Sequence, residues 1–179
     1  MRVAITGGIA EGKSTVLAHL RQLGYRTASA DEFAREVFGL VQEELAAVSG
    51  LSLPVSPKEL RTLMATNADL RREVNRIMHP LIHRKLEAST AEFMEVPLLF
   101  EACIYGLFER VWVVTCGLDE QRRRLVERYG EGAHVDSMLA TQLPSRVKSV
   151  FSDRIIRTNE APETVSRLLS EAVTALYGS

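Results

Sequence analysis

The stretch Val3-Ala4-Ile5-Thr6-Gly7-Gly8-Ile9-Ala10-Glu11-Gly12-Lys13-Ser14-Thr15 decides how this chain is read. Its first four residues are an apolar, β-rich run, and Gly7 to Ser14 fits the spacing G-x-x-x-x-G-K-[ST] in full. From Lys13 to Leu23 the residues Val16, Leu17, Leu20 and Leu23 recur at helical spacing, and Gly24 follows as a stop signal. A strand, a glycine-rich turn and a helix form the context in which such a loop cradles phosphate. The glycines let the backbone curl so that successive N–H groups converge on phosphate oxygens. The helix N-terminus adds the positive end of its dipole. Lys13 then brings a compact charge to the β- and γ-phosphates, and the Ser14 hydroxyl can ligate Mg²⁺.

Working outward, further β-rich runs lie at Tyr25–Ala28, Glu92–Leu99, Arg110–Cys116 and Arg154–Thr158. Helical periodicity fills Asp31–Phe38, Lys58–Ala65, Ala68–Ile77, Leu81–Ala91, Glu120–Tyr129, His134–Gln142 and Pro162–Tyr177. With the opening strand this predicts an α/β fold: a parallel five-stranded sheet flanked by helices. Val111–Cys116 is almost continuously apolar, as a strand covered on both faces should be. Gly39–Pro57 is interrupted by Gly39, Gly50, Pro54 and Pro57 and is read as irregular. Residues 38–90 are expected to be a helical excursion from the sheet within one domain spanning 1–179.

The 179 residues fit one domain, and 46% hydrophobic content supports a core without staples. Lys and Arg total 22 against 23 Asp and Glu, a net charge of −1, which argues against non-specific nucleic-acid binding. Cys103 and Cys116 lack metal or redox spacing, and apolar neighbours mark both as small buried hydrophobes. No apolar run has the length of a membrane helix, and the N-terminal run is too short for a secretion signal. A cytoplasmic protein is expected, with a monomer favoured.

Two acids, three arginines and a histidine stand out beyond the loop. Asp31 follows the second strand, at the ligand-binding edge of an open parallel sheet. There a carboxylate can accept a proton from an attacking hydroxyl or help hold Mg²⁺; equally, it can be a first-turn acid beside a Ser29–Glu32 capping box. Arg35, four residues on, suits an ion pair with Asp31 or a phosphate contact. Arg124 and Arg128 share one helix face, where two guanidiniums could neutralise a transferring phosphoryl group or simply face solvent. His79 precedes Pro80, so its backbone is expected to leave the helical region. Glu101 ends the third strand region as a substrate-orienting or helix-start acid.

At this point the chain resembles the dephospho-CoA kinases, P-loop kinases of coenzyme A biosynthesis. The resemblance is carried by Thr6-Gly7-Gly8-Ile9 with Gly12-Lys13-Ser14-Thr15, by Ala30-Asp31 with Ala34-Arg35, by His79-Pro80-Leu81-Ile82, and by Val96-Pro97-Leu98-Leu99-Phe100-Glu101. Gln121, Arg124 and Arg128, then Gln142, Lys148 and Asp153, are similar to the family's lid and closing segment. The match runs in order along nearly the whole chain. It implies a P-loop NTPase-type sheet, a helical substrate-binding excursion over about 38–90 and a lid over about 118–148. It also implies transfer of the γ-phosphoryl of ATP to the ribose 3′-hydroxyl of dephospho-CoA, with Mg²⁺ as cofactor. Catalysis would then fall to Asp31, Lys13, Arg124 and Arg128. ATP would meet Gly8, Ile9, Ala10, Glu11, Gly12, Lys13, Ser14, Thr15, Lys148 and Asn159. Dephospho-CoA would meet Thr6, Asp31, Arg35, His79, Pro97, Leu98 and Glu101. Ser14 would be the metal ligand. ATP and dephospho-CoA are the implied partners, with no nucleic acid and no membrane.

The chain departs from the family pattern at several points. Ala10-Glu11 stands where small residues such as Gly and Ser are usual, and a carboxylate beside a triphosphate is a like-charge contact unless it points to solvent. Ser29 replaces the first Asp of a paired motif, and Thr158-Asn159-Glu160 replaces the segment that faces the adenine. Two other readings use the same loop: another small-molecule P-loop kinase, or a nucleotide-binding module with little transfer. The latter lacks any N-K-x-D guanine-reading motif here.

Overall fold

Val3 to Thr6 forms the central strand β1, and all four residues are buried because the sheet is covered on both faces. The computed structural model describes residues 1–130 and 134–178. In chain order β1 is followed by α1 (Lys13–Gln22), β2 (Thr27–Ser29), α2 (Ala30–Leu40), α3 (Gln42–Ser49), α4 (Pro57–Thr66) and α5 (Ala68–Ala88). Then come β3 (Phe93–Glu95), β4 (Arg110–Thr115), α6 (Leu118–Tyr129), α7 (Val135–Ala140), α8 (Ser145–Lys148), β5 (Arg154–Arg157) and α9 (Pro162–Tyr177). The five strands form one sheet in the order β2-β3-β1-β4-β5, and all four pairings are parallel. β1 registers Val3 against Phe93 on one side and Arg110 on the other, so the carboxyl ends of the central strands share one edge.

The chain resolves into two compact units: residues 1–29 with the described residues from Thr90 onward, and Ala30–Ser89. In the first, Val3 and Ile5 of β1, Phe93 of β3, and Trp112 and Val114 of β4 pack with Val16, Leu17 and Leu20 of α1 and with Val165, Leu169 and Val173 of α9. The alternation of two along each strand puts these side chains on one face. Tyr25 meets the Phe93 ring edge-on at 5.4 Å and stacks on Tyr177 at 5.7 Å, closing the edge of this core.

The second unit has its own core, in which Val37, Val41, Leu45, Val55, Leu60, Leu70 and Val74 are buried. Asn67 caps α5 by accepting from the Leu70 N–H at 3.0 Å, and Ser56 caps α4 ahead of Pro57. Two expectations fail here. The supposedly irregular Gly39–Pro57 contains α3, because Val41 and Leu45 turn into the core four residues apart, Gly39 lies inside α2, and Gly50 ends α3 at φ 71°. The two helices expected on either side of His79-Pro80 are one helix, α5, with Pro80 inside it. A proline there costs about 3 kcal/mol, yet Ile77, Met78, Leu81 and Ile82 all pack into the core around it, and that burial holds the helix through.

The strand expected over Glu92–Leu99 stops at Glu95, where Val96 still donates to Ile5 O at 2.9 Å before Pro97 removes the next donor. Cys116 is buried as expected, but Cys103 is exposed: it lies in the turn after Leu98, donating to Phe100 O at φ 55°. The lid expected over 118–148 corresponds to α6, α7 and α8, and its residues 131–133 lie outside the described residues. Trp112 is 2% exposed at the centre of the first unit's core. Trp112→Ala is expected to lower unfolding stability by about 3–5 kcal/mol, read as a shifted midpoint in denaturant titration.

Candidate active site

The phosphate loop starts where β1 leaves the sheet, and its shape is set by what lies under it. A Cβ on Gly7 would lie 2.3 Å from the Val114 carbonyl oxygen, and one on Gly12, at φ 89°, would lie 3.0 Å from Thr158 Oγ1. Side chains at either position would therefore push the loop off the sheet. Ala10 adopts φ 61°, the left-handed region that costs a non-glycine residue about 1–2 kcal/mol.

Lys13 is 8% exposed, and its Nζ donates to Gly8 O at 2.8 Å, so the ammonium is folded back over the loop. Ser14 and Thr15 are exposed on the first turn of α1. Glu11 does not reach into solvent: it is 2% exposed. Its carboxylate accepts from the Gly8 N–H, from Ser145 Oγ and, at 3.0 Å, from Thr115 Oγ1. Ile9 is held from α6, where Gln121 Nε2 donates to its carbonyl at 2.8 Å.

On the other side of the loop, Arg124 ties α6 to the turn after β5. It donates to Thr158 O at 2.7 Å, to Thr158 Oγ1 at 3.3 Å and to Glu120 Oε1 at 2.8 Å. Thr158 Oγ1 in turn donates to Glu11 O at 2.7 Å. Hydrogen bonds from Arg123 and then Arg124 hold the half-buried Glu120 carboxyl down at about 2. A groove of about 650 Å³ runs from Gly12, Ser14 and Thr15 past Arg124 and Arg128 to Thr158, within the usual range for small-molecule sites. Asn159 lines an adjoining cleft with Arg123 and Arg124. Arg128 is exposed, its guanidinium 5.4 Å from the Tyr129 ring centre.

Five other candidates, Thr6, Pro97, Leu98, Glu101 and Lys148, gather at the end of β3. Lys148 is fully buried, pairs with Glu101 Oε1 at 3.0 Å and donates to Pro97 O at 2.7 Å. Thr6, also fully buried, donates to the same Pro97 oxygen at 3.3 Å. Glu101 Oε1 also accepts from the Leu143 N–H at 2.8 Å. Leu98 is exposed beside them. Burial pushes the Glu101 carboxyl up, but hydrogen bonds from its own backbone, Lys148 and Leu143, with the Lys148 charge, outweigh it and leave its pKa below the usual 4.5. Asp31 and Arg35 are exposed on α2, and His79 is exposed on α5, all in the second unit.

Thr115 and Ser145 are part of the loop's support and were not singled out from the sequence. Thr115 was findable in principle, since it ends β4 at the sheet edge where ligand sites gather. Ser145 carried no such signal.

A depressed carboxyl pKa stabilises the fold above the unfolded value and loses that contribution as pH falls through the folded one. Glu101→Gln is therefore expected to destabilise the protein near neutral pH by about 2 kcal/mol, less than the 3–5 kcal/mol of a fully buried pair because the Glu101 side chain is 22% exposed. In denaturation series from pH 7 to 3, the gap between variant and parent should narrow as the pH drops below 4.5.

Comparison with known proteins bears on the fold and the family. The dephospho-CoA kinase family model matches residues 1–163. A dephospho-CoA kinase of Geobacter metallireducens is 33% identical, over 92% of this chain and 91% of its own. The crystal structure of TT1252 from Thermus thermophilus superposes with a TM-score of 0.87 at 26% identity, covering 98% of this chain and 97% of that one. A dephospho-CoA kinase from Campylobacter jejuni shares the fold at a TM-score of 0.71 and 22% identity, covering 98% and 96%. The five-stranded parallel sheet, the loop at its central strand and a match that runs from residue 1 to residue 163 agree: the chain belongs to the dephospho-CoA kinase family.

Proposed function

We propose that the chain transfers the γ-phosphoryl group of ATP to the ribose 3′-hydroxyl of dephospho-CoA, giving coenzyme A and ADP. The observation that carries this reading is the phosphate loop of a dephospho-CoA kinase chain, with Lys13 poised on Gly8 O beside a groove walled by Arg124. Amides of residues 9–15 hold the phosphates, Gly8 lines the loop with its own N–H kept by Glu11, and Lys13 exchanges Gly8 O for phosphate oxygens. Asn159, with the turn around Thr158, takes the adenine end. Arg124 and Arg128 neutralise charge that spreads over the equatorial oxygens during transfer.

The Ser14 hydroxyl is an exposed hard oxygen donor, and no cluster of three or more His, Cys, Asp or Glu suited to a metal occurs among the described residues. That donor set fits Mg²⁺ held through Ser14 and the substrate's own phosphates, an ion that prefers oxygen ligands and keeps its waters. When bound, it would supply charge neutralisation between phosphates.

Asp31 is the general base: it takes the proton of the 3′-hydroxyl as that oxygen forms its bond to phosphorus and the bond to the ADP oxygen breaks. Its exposure on the first turn of α2, directly after β2, supports this role. Within the helical unit, Arg35 and His79 are the residues proposed for acceptor binding; within the first unit, they are Pro97, Leu98 and Glu101 of the turn after β3. Thr6 and Lys148 act through that turn, by fixing Pro97 and Glu101. Among the described residues no helix is long and apolar enough to cross a membrane, which agrees with a cytoplasmic place.

Incubation with Mg-ATP and dephospho-CoA should yield ADP and the 3′-phosphorylated product in equal amounts. Turnover with other acceptors but not with dephospho-CoA would contradict the assignment. Lys13→Ala should abolish turnover while leaving the fold intact, read as an unchanged circular dichroism spectrum. Asp31→Asn should lower kcat by about 10²–10⁴ with little change in ATP affinity, since the carboxylate acts as the hydroxyl attacks. A near-normal rate in Asp31→Asn would return Asp31 to a helix-start acid.

A further inference from the structure

We propose that Glu11 is a positioning residue for nucleotide binding, a strut that holds the phosphate loop in its curled form while Lys13 changes partners. The inference rests on the reading that this loop holds ATP.

A carboxylate within the loop would be expected to repel a triphosphate, yet this one is turned aside. Its three donors come from three segments: the loop itself at Gly8, the end of β4 at Thr115, and the first residue of α8 at Ser145. The Thr115 hydroxyl is oriented for the task, because its oxygen also accepts from the Gly117 N–H at 3.2 Å and its own hydrogen is left for Glu11. The Gly8 N–H lies between Glu11 and Ser145 Oγ, the latter at 3.1 Å. The carboxylate borders a cavity of about 420 Å³ on the Ser145 side; among the described residues lining the groove beside Ser14 and Thr15, Glu11 is not one. Its negative charge is thus matched by hydrogen-bond donors on the side away from that groove.

The Gly8 peptide group explains why such a strut matters. Its N–H is held by Glu11 and its carbonyl by Lys13 Nζ at 2.8 Å. When Lys13 moves to a phosphate, the carbonyl loses its partner and only the N–H side remains anchored. The Glu11 carboxylate then keeps Gly8 in place, with Thr115 and Ser145 keeping Glu11 in place. On its other side, Glu11 O is fixed by Thr158 Oγ1 at 2.7 Å, so the residue is clamped through both backbone and side chain. A Ser or Ala at position 11 is too short to span from the loop to Thr115 and Ser145.

The test is calorimetric titration of the intact protein with a β,γ-methylene analogue of Mg-ATP, alongside steady-state kinetics. Glu11→Ala should raise the Kd for the analogue and the KM for ATP about tenfold, the scale of lost charge-assisted hydrogen bonds. The KM for dephospho-CoA and kcat should each change less than about twofold, a split that general loss of structure would not produce. Glu11→Gln keeps the length and one acceptor oxygen and should fall between parent and Glu11→Ala. Ser145→Ala and Thr115→Val leave Glu11 in the chain and should each weaken binding by a few-fold, which keeps the proposal testable if Glu11→Ala does not fold. Unchanged or tighter binding in Glu11→Gln or Glu11→Ala, with normal binding by the parent, would overturn the inference alone. Absence of binding by the parent would overturn the nucleotide reading and this inference with it.

Discussion

A methyl group at Gly7 would lie 2.3 Å from the Val114 carbonyl, and the site depends on this lack of room. β1 and β4 are neighbouring parallel strands, so the chain leaving β1 must pass directly over the end of β4. Glycine at position 7 allows that passage, and Gly12, at φ 89°, allows the return into α1 against Thr158. Between them the backbone curls tightly enough for Lys13 to reach Gly8 O. The sheet and its core of Ile5, Trp112, Leu17 and Leu169 serve to hold two strand ends and one helix start in register.

The support beneath the loop is polar and drawn from distant parts of the chain. Thr115, Gln121, Ser145 and Thr158 each hold a loop residue, and all four lie more than a hundred residues downstream. Arg124 belongs both to this support and to the groove wall. Its position is therefore coupled to the loop's, so under the proposed function charge neutralisation and phosphate grip would rest on one set of hydrogen bonds. The Lys148–Glu101 pair does the same for the turn after β3, where Pro97 O receives both Lys148 and Thr6.

The sheet and the loop were legible because they follow local rules. Apolar runs, glycine spacing and the helical repeat of Val16, Leu17 and Leu20 need no knowledge of distant residues. α3 was not legible, since its inward Val41 and Leu45 are too few to outweigh Gly39, Gly50 and two prolines in a one-dimensional reading. Pro80 misled for a related reason: the preference of the residue before proline is local, whereas the packing of α5 on both sides of it is not. The direction of Glu11 was also beyond reach. Charge alone offers a like-charge contact with the phosphates or a side chain turned to solvent; its actual course depends on Thr115 and Ser145, whose nearness only the folded chain reveals.

The central claim is that main-chain amides of one short loop, with Lys13, grip a polyphosphate. Amide resonances followed in ¹⁵N–¹H spectra during titration with the non-hydrolysable Mg-ATP analogue test it most directly. The account predicts that the largest shifts fall on residues 8–15, in slow or intermediate exchange, with smaller ones around Thr158. Shifts centred elsewhere, or a loop whose amides do not respond at saturating nucleotide, would contradict it.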